Sequence, residues 1–223
     1  MDYGTIWEHV DRDIQDYQLV VHRDDGLFRN LEYGNPRWGE YQRVWLDTSP
    51  WCLTYRIPGF SLVWRLPSSG PKAVPADPFD YFGQTLPDGT PDVNTWVRWL
   101  DIPGRRDTVT MYDSLRLRQL IDEVVDAAIA QDQQGRLARL RQAVSTHLQL
   151  TGSEELDHHL IRQFRYQGGR ASMTGSMRMW PGDFNFAQVD ERWPECRHFD
   201  PRYVWACGVI VRIIREYRQA QAG

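Results

Sequence analysis

Through the first half of the chain, apolar and aromatic residues alternate with polar ones in short runs divided by Gly and Pro, the period-two pattern of strands joined by tight turns. The runs Gln18–His22 and Phe28–Tyr33 flank Asp24-Asp25-Gly26, where Gly supplies the positive φ of a hairpin turn. Further runs follow at Arg43–Leu46, Cys52–Ile57 and Ser61–Leu66, the last two joined by Pro58-Gly59. Residues 1 to about 110 therefore predict a small antiparallel meander with loops. The stretch Pro67–Pro91 carries six of the 13 prolines, too many for a helix or central strand, and is expected to be a surface loop around the aromatic anchor Phe79-Asp80-Tyr81-Phe82.

Past Trp96–Leu100 the period changes. Leu117, Leu120, Ile121, Val124, Val125, Ala128 and Ile129 recur at three- and four-residue spacing behind Asp113 or Ser114 as N-cap, which predicts an amphipathic helix. Leu137, Leu140, Val144 and Leu148 predict a second helix or its continuation. Thr151-Gly152-Ser153-Glu154 has the spacing of a capping box ahead of Leu156, Leu160, Ile161 and Phe164. Residues 167–185 read as loop or edge strand, and Asp200-Pro201 opens a helix to about Arg218 whose first turns are apolar nearly all round, so it should lie in the core against the sheet. The expected fold is α+β: an N-terminal antiparallel β-meander (residues 1–110) packed with three to four helices (residues 111–223), including a buried C-terminal helix, in one domain over 1–223.

Composition changes this picture little. Ten Trp and 41% hydrophobic residues supply a core, and a net charge of −4 argues against general attraction to polyphosphate. Lys72 is the one lysine among 26 basic residues, a bias for which a GC-rich genome is the simple account. Three cysteines without CxxC spacing and an acidic, polar N-terminus point to the cytoplasm, and the longest apolar run, Tyr203–Ile214, is interrupted by Arg212 and shorter than a membrane span. No membrane partner and no cofactor is implied.

Candidate chemistry is sparse. Asp157-His158-His159 is the most chemical-looking triplet, but neighbouring helical residues point about 100° apart, so one metal cannot take both His residues without further ligands. A hydrolase or transferase using His158 or His159 with a distant carboxylate is the residual enzymatic reading. Gly168-Gly169-Arg170 with Ser172, Thr174 and Ser176 has the ingredients of a phosphate cradle but neither P-loop nor dinucleotide spacing. Arg105, Arg106, Arg116, Arg118, Arg136, Arg139 and Arg141 could form a basic face for nucleic acid, set against Asp107, Asp113, Asp122, Glu123, Asp126 and Asp132 in the same region, which favour a mixed-charge solvated face. Trp38, Trp51 and Trp180 stand in turn-like contexts and are candidate exposed anchors for a protein partner.

Several segments stand out in order: Arg23-Asp24-Asp25-Gly26-Leu27-Phe28-Arg29-Asn30-Leu31, Val44-Trp45-Leu46-Asp47-Thr48, Gly59-Phe60-Ser61-Leu62-Val63-Trp64-Arg65 and Asp77-Pro78-Phe79-Asp80-Tyr81-Phe82. Near the C-terminus come Phe184-Asn185-Phe186, Asp190-Glu191 and the segment from Tyr203 to Tyr217. In these segments, at both ends, the chain resembles a family of bacteriophage and prophage accessory proteins to which no activity is assigned. The resemblance implies a mobile-element origin and carries over no functional residue. The expected role is a non-enzymatic accessory protein that binds and inhibits a host defence complex, as anti-CRISPR proteins do, with the nucleic-acid module as the alternative.

Overall fold

Five runs of alternating residues form the five-stranded antiparallel sheet that the sequence predicts, in the order β1–β5: β1 Gln18–Asp25, β2 Phe28–Gly34, β3 Arg43–Ser49, β4 Cys52–Ile57 and β5 Phe60–Arg65. The computed structural model describes residues 4–37, 43–68, 75–101, 108–167, 169–173 and 183–223. One face of the sheet is buried, because Leu31 and Tyr33, Val44 and Leu46, Leu53 and Tyr55, and Leu62 and Trp64 fall on alternate positions of successive strands. The register shifts between Val21 and Arg23, where β1 carries a bulge.

The described residues group into two units, each with its own core. The first comprises Met1–Thr110 and Phe199–Gly223. Four helices share its core with the sheet: α1 Gly4–Asp13, α2 Pro78–Phe82, α3 Val93–Trp96 and the C-terminal α8 Pro201–Ala222. The number matches expectation but the membership does not. The middle helices serve the other unit, while α1 and the two short helices inside the proline-rich region do the packing here. Helix α2 exists because Asp77 accepts from the Phe79 N–H and Pro78 occupies the first turn, and Phe79 and Phe82 are buried. Arg29 fixes that cap by donating to both oxygens of Asp77 at 2.8 Å, with its guanidinium 4.6 Å from the Phe79 ring.

Helix α8 begins as predicted, with Asp200 accepting from the Arg202 N–H and Pro201 at the first position. It buries Tyr203, Val204, Ala206, Cys207, Val209, Ile210, Val211, Ile213, Ile214 and Tyr217, so its early turns are core on nearly every side. Gly208 interrupts this run for a steric reason: a Cβ there would lie 2.8 Å from the Trp7 ring of α1. Close helix contact offsets the usual cost of glycine in a helix interior.

The second unit, Met111–His198, contains α4 Ser114–Gln131, α5 Leu140–His147, α6 Glu154–Gln163 and α7 Ala187–Glu191. A small antiparallel sheet accompanies them, with β7 Arg165–Gln167 between β8 Arg170–Ser172 and β9 Phe184–Asn185. Short strands β6 Thr110–Tyr112 and β10 Arg197–Phe199 pair where the chain passes from one unit to the other. Asp113 caps α4, and Leu117, Leu120, Ile121, Val124 and Val125 are buried on one face, as their spacing requires. Among the described residues no helix is long and apolar enough to cross a membrane.

Candidate functional site: the outer face of the sheet

The sheet face opposite the core carries a different set of side chains. Register places Val20, Glu32, Trp45, Arg56 and Ser61 in one row across all five strands, and Arg23, Asn30, Asp47, Thr54 and Val63 in the next. Trp45 occupies the central strand of the first row, flanked by Glu32 and Arg56 across the strands and by Arg43 and Asp47 two residues away along its own. Neither Trp45 nor Val63 belongs to the buried core or to the partly buried residues packed on it.

The charges around Trp45 are tied to one another. Glu32 receives His22 at 2.8 Å and Arg43 at 3.0 Å, and Asp47 receives Arg56 at 2.6 Å together with the Asn30 amide. Arg65 is held by Asp101. Each guanidinium thus already has a carboxylate, and the face has no net positive charge to attract a phosphate chain. What the arrangement offers is a broad indole at the centre of a ring of fixed donors and acceptors of both signs, the composition found where folded proteins meet.

The residues singled out from sequence fall elsewhere. Trp38, Trp180, Arg105 and Arg106 lie outside the described residues, as do Gly168, Thr174 and Ser176. Trp51 is partly buried against the core of the first unit instead of standing free. It fills the two-residue β3–β4 turn after Pro50 with φ 67°, a left-handed conformation that side chains disfavour. Two backbone bonds hold it there: its carbonyl accepts from the Leu66 N–H at 2.7 Å and its N–H donates to the Ala76 carbonyl at 3.3 Å. Its role is to clamp the chain, not to present a ring.

Asp157, His158 and His159 diverge, as helical geometry requires. Asp157 is fully buried and accepts four hydrogen bonds, from the Thr151 N–H and hydroxyl on one oxygen and from Tyr112 and the Gly152 N–H on the other. The expected capping box is not formed: Ser153, not Thr151, is the N-cap of α6 and makes no side-chain cap bond, and Asp157 instead ties down the loop that precedes the helix. His159 is exposed. His158 does meet a distant carboxylate, Asp190 of α7 at 2.6 Å, while its ring stacks 4.3 Å from that of Trp193, which in turn stacks on Tyr112. The partner and the stack make His158 a tie between α6 and the segment 190–193. Substituting His158 by Ala should lower stability by about 1–3 kcal/mol through the lost charged hydrogen bond and ring contact. Substituting His159 should change it by less than about 0.5 kcal/mol, and urea unfolding of the two variants checks the difference.

Two arginines of the middle region, Arg116 and Arg141, are likewise engaged. Arg116 bonds Glu123 at 2.7 Å and Glu195 at 2.8 Å, Arg192 joins the same two carboxylates, and Arg141 pairs with Asp126. The bonds from Arg192 and Arg116 hold the Glu195 carboxyl down at about 2. Arg170 is exposed on β8. Burial pushes the Cys196 thiol up to about 11 and the Cys207 thiol well above its usual value, so both remain protonated at neutral pH. Comparison of the chain with protein-family models, with curated proteins and with solved structures finds no match in any of the three.

Proposed function

We propose that the chain is a non-enzymatic binding protein that docks a folded partner protein on the outer face of its five-stranded sheet. The single observation that carries this reading is Trp45, half-buried at the centre of the outer sheet face, outside the core, and ringed by Arg43, Asp47, Glu32 and Arg56. Trp and Arg are over-represented among residues that dominate binding energy, and they act near the centre of an interface with polar groups around them. The pairing of each Arg on the face with a carboxylate favours a protein over nucleic acid, whose binding draws on unpaired cations and falls steeply with salt. A host defence complex, in a cytoplasmic setting, is the target class proposed from the resemblance of the chain's two ends.

Trp45 lies outside the core but is itself half-buried, so Trp45→Ala should cost about 1–2 kcal/mol of stability and leave the chain folded, while weakening the partner by at least about 30-fold, the equivalent of a 2 kcal/mol hot spot. Capture from host lysate at low and high salt, with wild type and Trp45→Ala side by side, is the test. A partner retained at high salt by the wild type and absent with Trp45→Ala fits the reading. Nucleic acid that is lost at high salt, or a partner held equally by both, would overturn it.

A further inference from the structure

The two edges of the five-stranded sheet are treated differently. On β5 the edge is closed, because the Asp101 N–H donates to the Val63 carbonyl at 2.8 Å and Leu100 bridges to Trp64. On β1 it is open: among the described residues no strand pairs with its outer side. An unpaired edge presents a row of backbone donors and acceptors, and natural sheets guard such edges with charges, proline or bulges. Strand β1 is guarded at one end alone. The bulge around His22 and the charged residues Arg23, Asp24 and Asp25 protect its C-terminal half, while Gln18–Val21 has neither charge nor proline. Exposed large apolar residues concentrate here: of the four in this unit among the described residues, Val20 (45%), Val21 (43%) and Phe28 (45%) lie on the β1–β2 hairpin, and the fourth is Leu86.

From this we infer that β1 pairs antiparallel with β1 of a second copy of the chain, about a two-fold axis at Val20. A second copy fits better than an arbitrary strand because the exposed segment is complementary to itself. Pairing centred on Val20 sets Val20 against Val20 and Gln18 against His22 on the outer face, and Leu19 against Val21 on the core face, so each apolar residue of the segment meets an apolar one. The sides are consistent, since Gln18 and Val20 register with Gly34 and Glu32 whereas Leu19 and Val21 register with Tyr33 and Leu31. The pairing satisfies both open edges at once, as an isologous contact must, and the bulge ends it symmetrically after His22. It yields a continuous ten-stranded sheet in which the rows through Val20 join, and the two Trp45 side chains stand about 24 Å apart on one face, five strand spacings. The dimer goes beyond the outer-face reading, and either can fail while the other stands.

Only five residues pair per chain, so the contact is small and the dimer should dissociate in the micromolar range. Sedimentation velocity of the whole chain, followed up to about 100 µM so that a small interface has the chance to form, is expected to show a monomer–dimer equilibrium. Val20→Lys sets two like charges together at the axis and should weaken it by at least about 30-fold. Leu86→Lys should leave it unchanged. Because Val20 is nearly half exposed, the Lys variant should keep the wild-type circular dichroism. Backbone hydrogen exchange gives an independent reading on the unmodified protein: amides within Gln18–His22 should become more protected as concentration rises, with no such change in β4. A wild type that stays monomeric at every concentration, a dimer that survives Val20→Lys, or concentration-independent exchange in β1 would each overturn the inference.

Discussion

Replacing Asp157 by Ala should destabilise the chain by about 3–5 kcal/mol, since it removes the buried, charged acceptor of four hydrogen bonds and leaves a gap in its place. The carboxylate has no exposed surface and collects the N–H groups of Thr151 and Gly152 and the hydroxyls of Thr151 and Tyr112. Asp157→Asn should recover only part of the loss, because its amide nitrogen can replace one oxygen in shape but would face donors with a donor. Burial raises the Asp157 pKa, and the hydrogen bonds from Thr151, Tyr112 and Gly152 lower it further than burial raises it, so the group titrates below its ordinary value of 3.8. A depressed folded-state pKa means that the ionised group's contribution is complete above the unfolded value and is lost as pH falls through the folded one. The stability difference between wild type and Asp157→Asn should therefore be constant from neutral pH to about 5 and shrink below about 4, near the unfolded carboxylate value. Urea unfolding across that range measures it, and a difference that grows on acidification would contradict this account of the site.

Trp64→Ala should cost a similar amount, about 3–5 kcal/mol, for an apolar reason. Trp64 is fully buried on β5, and its ring lies 5.7 Å from that of Phe82 on α2, 6.1 Å from Trp96 on α3 and 6.5 Å from Tyr203 on α8. One side chain therefore touches three of the four helices on the sheet, and its removal leaves a cavity that they cannot all close upon. Trp64→Phe should cost less, because it keeps a ring between the helices. Denaturant midpoints rank the two, and a loss below 1 kcal/mol for Trp64→Ala would mean that the helices pack without it.

Much of this was legible in the amino-acid order. The strands of the meander and the caps Asp113 and Asp200 follow from period-two alternation and from side chains that satisfy free helix N–H groups, which are local effects. Helix α1 was not, because Ile6, Trp7, Val10 and Ile14 lie among charged residues in a segment whose strand-like neighbours dominate the reading. The division into two units was hidden as well. The apolar character of α8 did place it in the core against the sheet, where it lies, but nothing local says that the chain returns to the first unit at Phe199 after the middle helices have formed a core of their own. Trp45 escaped notice for a related reason: in Val44-Trp45-Leu46 both faces of the strand are apolar, and only the paired registers of β2 and β4 show that Val44 and Leu46 enter the core while Trp45 does not. Its polar neighbours Arg43 and Asp47, two residues to either side, were the available signal. His158 and Asp190 are 32 residues apart in sequence, and no local pattern announces such a pair.

Whether the outer sheet face engages a partner through Trp45 is read from the plating efficiency of a phage on host strains that each carry one defence system and express wild type or Trp45→Ala. Wild type should restore plating against at least one system, and Trp45→Ala, folded and equally abundant, should fall to the level of the empty vector. Equal protection by the two proteins, or no protection by the wild type against any system, would contradict the outer-face reading.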